Sequence, residues 1–101
     1  MSETTTKAKI VSVAITDTDL VNNNPNRVQI TFVNNGANEV HIDIDNTVSA
    51  SSGLRLAASG TITLNKMEDG NFVTSKFIGI ASGAASNVRV FEVVKTGAKS
   101  E

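Results

Sequence analysis

Apolar residues in this chain recur at every second position, and a period of two admits few folds. In "RVQITFV" (27–33), Val28, Ile30 and Phe32 alternate with Arg27, Gln29 and Thr31. In "EVHIDID" (39–45), Val40, Ile42 and Ile44 alternate with Glu39, His41, Asp43 and Asp45. Successive side chains on a β-strand point to opposite faces, so this pattern describes strands with one face buried and one wet. "AKIVSVAI" (8–15) places Val11, Val13 and Ile15 on one face, and "TITL" (61–64) places Ile62 with Leu64. "KFIGIA" (76–81) and "NVRVFEVV" (87–94) complete about six strands, with a short seventh at Leu54-Arg55-Leu56. No window shows helical spacing with a cap.

The punctuation fits an all-β chain. "DTDLVNNNPN" (17–26) reads as a polar loop closed by Pro25, and "EDGN" (68–71) and "SGAAS" (82–86) read as turns. Asn35-Gly36 is the dipeptide that most readily takes positive φ between strands. Six to seven short strands at this spacing predict a small antiparallel β-sandwich of jelly-roll type. With 101 residues the chain is one domain by size. Residues 8–95 are expected to form it, with a loose N-terminal arm (1–7) and a loose C-terminal tail (96–101).

Composition narrows the work such a domain can do. Nine Lys+Arg against ten Asp+Glu give a formal net charge of -1, without the basic stripe that phosphate-dominated nucleic-acid binding needs. Trp and Tyr are absent, which removes the best platforms for stacking bases or sugar rings. Cysteine is absent too, so disulfides, thiolate metal sites and cysteine nucleophiles fall away together. "MSETTTKAK" holds no apolar run, so no secretory signal is expected, and no stretch approaches a membrane span. The expectation is a soluble product of the cytoplasm that needs no cofactor.

Few residues offer chemistry. His41, Asp43 and Asp45 share a strand face, where adjacent pairs have the spacing to meet a divalent ion; the competing reading is a solvated face opposite Val40, Ile42 and Ile44. Asp17 and Asp19 in "DTD" lack the glycine and glutamate of a calcium loop, and loop-capping aspartates fit better. "KTG" (95–97) and "GIASG" (79–83) match fragments of hydrolase motifs without their partners. Phe72 in "DGNFV" is the aromatic placed nearest a loop, where it reads as an anchor to the core. Catalysis needs more positioned titratable groups than this, so no enzyme is expected.

Two stretches resist simple alternation. In "NVRVFEVV", Val88, Val90 and Val94 share a face with Glu92, while Arg89, Phe91 and Val93 occupy the other. A β-bulge near Phe91 would re-aim these side chains; otherwise Arg89, Phe91 and Val93 contribute to a subunit interface, where Phe and Arg are enriched. "SASSGLRLAASG" (49–60) looks like a linker except for Leu54-Arg55-Leu56. On a short edge strand both leucines would point inward, with Arg55 facing solvent or a partner.

"NTVSASSGLRLAASGTITL" (46–64) and "FIGIASGAASNVRVFEV" (77–93) read together. A Ser-rich lead-in and Gly-x-x-Leu precede a Gly-Thr strand, and an Ile-Ala-x-Gly strand precedes a terminal Val-Arg-Val strand. With "VQITFVNNGANEVHI" (28–42), this resembles small β-sandwich virion proteins of tailed bacteriophages over about two-thirds of the chain. The group includes capsid decoration (cement) proteins, head fibres and tail-associated modules. The resemblance implies no enzyme, no cofactor and attachment to a virion surface, with the major capsid protein or another virion protein as partner. It carries over no defined binding residues. The leading expectation is therefore a capsid decoration protein, homo-oligomeric and plausibly trimeric, that engages neither nucleic acid nor membrane. The alternative is a tail or fibre module that binds a host receptor or glycan.

Overall fold

Eight strands run through the described residues of the computed structural model, which are 3–44 and 54–96; Glu3, Asn71, Phe72 and Thr96 are described in backbone alone. They are β1 (Glu3–Val13), β2 (Thr18–Val21), β3 (Arg27–Asn34), β4 (Val40–Ile44), β5 (Leu54–Leu56), β6 (Thr61–Asn65), β7 (Phe77–Ala81) and β8 (Ser86–Thr96). They form two four-stranded antiparallel sheets, ordered β1-β8-β3-β6 and β2-β7-β4-β5. Every connection crosses from one sheet to the other except β4 to β5. Two sheets wound in this way make the expected all-β sandwich, in jelly-roll form.

The inner faces meet in one core. Val13, Leu20, Ile30, Phe32, Val40, Ile42, Val73, Phe77, Val88 and Val90 are fully buried. Phe32 and Phe77 join the sheets edge to face, with ring centroids 5.2 Å apart. Each such side chain contributes roughly 1.5–3 kcal/mol by leaving water.

The eighth strand is β2, inside the stretch expected as a polar loop. It is short and polar at its start, yet Leu20 and Val21 enter the core. The first strand also differs from expectation. Glu3–Lys7 are not a loose arm but pair with β8, in a register that runs unbroken from Glu3↔Thr96 to Val13↔Ser86. An 11-residue β8 offers partners along its whole length, so backbone hydrogen bonding carries β1 out past the core. Ile15 lies beyond the strand and is exposed, while Val13 fills the inward position. Residues 97–101 of the expected tail fall outside the described residues.

"EDGN" is more than a turn. Lys66–Asp69 form a single helical turn, α1, followed by a 3-10 turn at Asn71–Thr74. Asn65 caps α1: its side chain accepts from the Met67 N–H at 2.9 Å, and Asp69 accepts from the Asn65 N–H at 2.8 Å.

Asn35-Gly36 does not close a hairpin, because β3 and β4 lie in different sheets. Positive φ among the glycines occurs at Gly70 and Gly83 instead. Gly36 is needed for closeness: a Cβ there would stand 1.9 Å from Ser86 Oγ and 2.9 Å from the Asn87 N. The fully buried Asn34 holds the crossing together. Its Oδ1 accepts from Gly36 N–H and Ser86 Oγ–H, and its Nδ2 donates to the carbonyls of Asn38 and Leu56.

Candidate interaction face

β8 is the second strand of its sheet and carries two sets of side chains. Val88, Val90, Glu92 and Val94 point into the sandwich, and Arg89, Phe91, Val93 and Lys95 point out. The bulge that would have turned Phe91 inward is not in β8. It lies in β3, where the register shifts between Arg27 and Gln29 opposite Val94 and Val93. The extra residue reverses the alternation, so Arg27, expected to face water, is buried, and Val28 is only half-buried.

That reversal explains the charge in β8. Arg27 Nε donates to Glu92 Oε1 at 2.9 Å, which neutralises the carboxylate that the strand pattern sends inward. The guanidinium also donates to the carbonyls of Val73, Ser75 and Asn22 at 2.6–3.0 Å. A buried cation is tolerated when it is paired and its donors are satisfied in this way.

With Glu92 settled inside, the outward set forms a continuous surface. Cross-strand neighbours place Ala8 and Thr31 beside Phe91, Thr6 and Gln29 beside Val93, and Ile10 and Val33 beside Arg89. Ile10 is 63% exposed, and Phe91, Val93, Val33 and Val28 are each partly exposed. Two shallow grooves mark the face. One, of about 500 Å³, lies among Ala8, Lys9, Ile10, Arg89 and Phe91. The other, of about 560 Å³, is lined by residues including Val28, Met67, Val93 and Lys95. Met67, on α1, is 95% exposed.

Of the interface residues expected from sequence, Arg89, Phe91 and Val93 are thus brought together, and Arg55 is not. Arg55 lies on the edge strand β5 of the other sheet and is bonded to the carboxylate of Glu39. Within "LRL", Leu56 is buried, but Leu54 is 40% exposed, contrary to expectation. Ala8, Ile10, Val28, Val33 and Met67 join the face without having been expected there. Strand register alone could have found the first four, since a period of two does not disclose which strands are neighbours, and Met67 depends on the helical turn α1.

The polar residues of β4 do not assemble as expected. His41 is buried rather than solvated, with Nε2 3.6 Å from Glu39 Oε1 and no hydrogen-bond partner at Nδ1 among the described residues. Asp43 is half-buried and accepts from the Ile44 N–H, and Asp45 lies outside the described residues. No group of three potential metal-ligating side chains gathers among the described residues. A cleft of about 440 Å³ opens between the sheets, with Ile42, Ile44, Leu54, Leu64 and Phe77 inside and Asp43 and Asp69 among its lining. Both carboxylates already accept backbone N–H groups, and neither faces a nucleophile among the described lining residues. The Phe72 side chain lies outside the described residues.

No protein-family model matches the chain. No curated protein matches it. Among solved structures, one chain from the Bacillus endospore appendages, described as forming a novel family of disulfide-linked pili, shares the fold with a TM-score of 0.59 and 11% identity. The match covers 93% of this chain and 86% of that one.

Proposed function

We propose that the protein is a non-enzymatic structural subunit that docks through the outward face of β1-β8-β3-β6 onto a larger protein assembly. The observation that carries this reading is the run of partly or fully exposed apolar side chains at Ile10, Val33, Phe91 and Val93 on neighbouring strands of one sheet. Contiguous exposed apolar surface beside Arg and Phe is what a protein-binding patch looks like. The assembly proposed is a tailed-bacteriophage particle, with the protein decorating the outer surface of the major capsid shell as a homo-oligomer such as a trimer. The virion setting rests on the motifs in 46–64 and 77–93. The likeness to the endospore pilus chain supports the sandwich, a fold compatible with building repeated structures. That pilus family is described as disulfide-linked, whereas this chain has no cysteine and forms no disulfide.

The test is a particle that lacks the protein. Its genome should be released at a lower temperature than from complete particles, and release at an unchanged temperature would overturn the capsid reading. Recovery of the protein with purified tails, together with binding to host-surface glycans, would favour the tail or fibre module instead.

A further inference from the structure

We infer that the outward face of β1-β8-β3-β6 takes a protein partner whose contact surface is apolar at its centre and rimmed by carboxylates. This inference names the partner's chemistry and rests on the docking reading above. It starts from where the cations are. Three of them form ion pairs: Arg27 with Glu92, Arg55 with Glu39, and Lys76 with Asp19. The other described cations, Lys7, Lys9, Lys66, Arg89 and Lys95, pair with no acid among the described residues. Lys7, Lys9, Arg89 and Lys95 belong to this one sheet, where Lys7 and Lys9 stand opposite the inward Glu92 and Val90, and Lys66 opens α1, which also carries Glu68 and Asp69.

The outward strand positions of the face carry no compensating charge. Arg89 and Lys95 are its outward strand cations, and no described strand position facing outward there holds Asp or Glu. Lys9 lines the groove at Ala8, Ile10 and Phe91, and Lys66 lines the groove at Val28 and Val93. Along β8, Arg89 and Lys95 therefore bracket Phe91 and Val93, with Lys9 and Lys66 at the two grooves, although the chain as a whole carries a formal net charge of -1.

Three other occupants fit less well. A second copy docked by the same face would bring two sets of strand cations together with no outward strand acid on either copy to receive them, which disfavours association. A nucleic-acid backbone would satisfy the cations but leave Phe91, Val93 and Ile10 against phosphate and sugar with nothing to bury. An anionic bilayer could take up the exposed Ile10 and Met67, but it offers no fixed shape to Phe91 and Val93, which are half-buried between neighbouring strands. A protein surface with an apolar centre and an acidic rim answers both features. Burial at the centre supplies affinity, and the rim charges supply orientation and encounter rate.

The test uses particles stripped of the protein and reloaded with purified chain. Wild-type loading should weaken as salt rises. The charge-reversed pair Arg89→Glu/Lys95→Glu should lose about tenfold or more in affinity at low salt. Phe91→Ser should also lose loading, whereas Lys76→Glu on the other sheet should load like wild type. Cooperative thermal unfolding of each variant establishes that it is folded, and Arg89→Ala/Lys95→Ala replaces the reversed pair if that pair is not. Wild-type chain that fails to load overturns the docking reading itself. Wild type that loads while the charge-reversed or neutralised pair loads equally well overturns the acidic partner alone. Charge-dependent binding of the wild type to duplex DNA or phosphatidylserine vesicles, stronger than to the stripped particle, overturns a protein as the occupant.

Discussion

The Arg27 side chain is 1% exposed and its partner Glu92 is 15% exposed, so this ion pair belongs to the interior. Removing one partner leaves the other charge buried, along with carbonyls of Val73, Ser75 and Asn22 that lose their donor. Arg27→Met should therefore cost about 3–5 kcal/mol. In urea denaturation, the Arg27→Met/Glu92→Gln double variant should cost less than the two single variants combined, by a coupling of about 1–3 kcal/mol. Additive losses would mean that the pair is not a unit. Arg55–Glu39 offers the contrast: with Arg55 72% exposed, the bond is worth about 0–1 kcal/mol.

Among the elements, β5 is the smallest strand and the most informative. It pairs with β4 at only three positions, Val40↔Leu56, His41↔Arg55 and Ile42↔Leu54. Alternation sends both leucines to the same side, but the sandwich covers only one. Leu56 is 2% exposed, and its carbonyl also receives the Asn34 amide. Leu56→Ala should lower stability by about 2–5 kcal/mol through the cavity it leaves. Leu54→Ala should cost about 1 kcal/mol, because a side chain 40% exposed recovers less from burial. Equal losses in thermal unfolding would show that the end of the sandwich at Leu54 is closed in solution.

For the whole molecule, topology decides the folding rate. Only β4 and β5 are both consecutive in the chain and neighbours in a sheet; β1 reaches its partner β8 across the full length of the domain. Such non-local pairing must close long loops before it gains stability, so refolding should occur on the millisecond-to-second scale. Refolding already complete within the dead time of stopped-flow mixing would contradict it. The same pairing fixes the proposed docking face, since Ile10 and Phe91 belong to one surface only because the first and last strands lie side by side.

The alternation in 27–33, 39–45 and 87–94 was sufficient for the sandwich, for most of its inward residues, and for the outward trio Arg89, Phe91 and Val93. Period two is a local property, set by the pleat of each strand. Other features were hidden because they depend on what lies across a sheet. The bulge at Arg27–Gln29 flips a charged residue inward, and nothing in "NRVQI" marks it; Glu92, 65 residues away, is its reason. The polar stretch at Thr18–Val21 becomes a strand because β7 offers it an edge. Glu3–Lys7 are ordered because β8 is long, and His41 is buried although its neighbours alternate as if it were wet. Sequence by itself determined which kind of layers this chain builds. Only the tertiary structure decided which strands are neighbours, and therefore where the charges are compensated and where an apolar face bracketed by cations is left open.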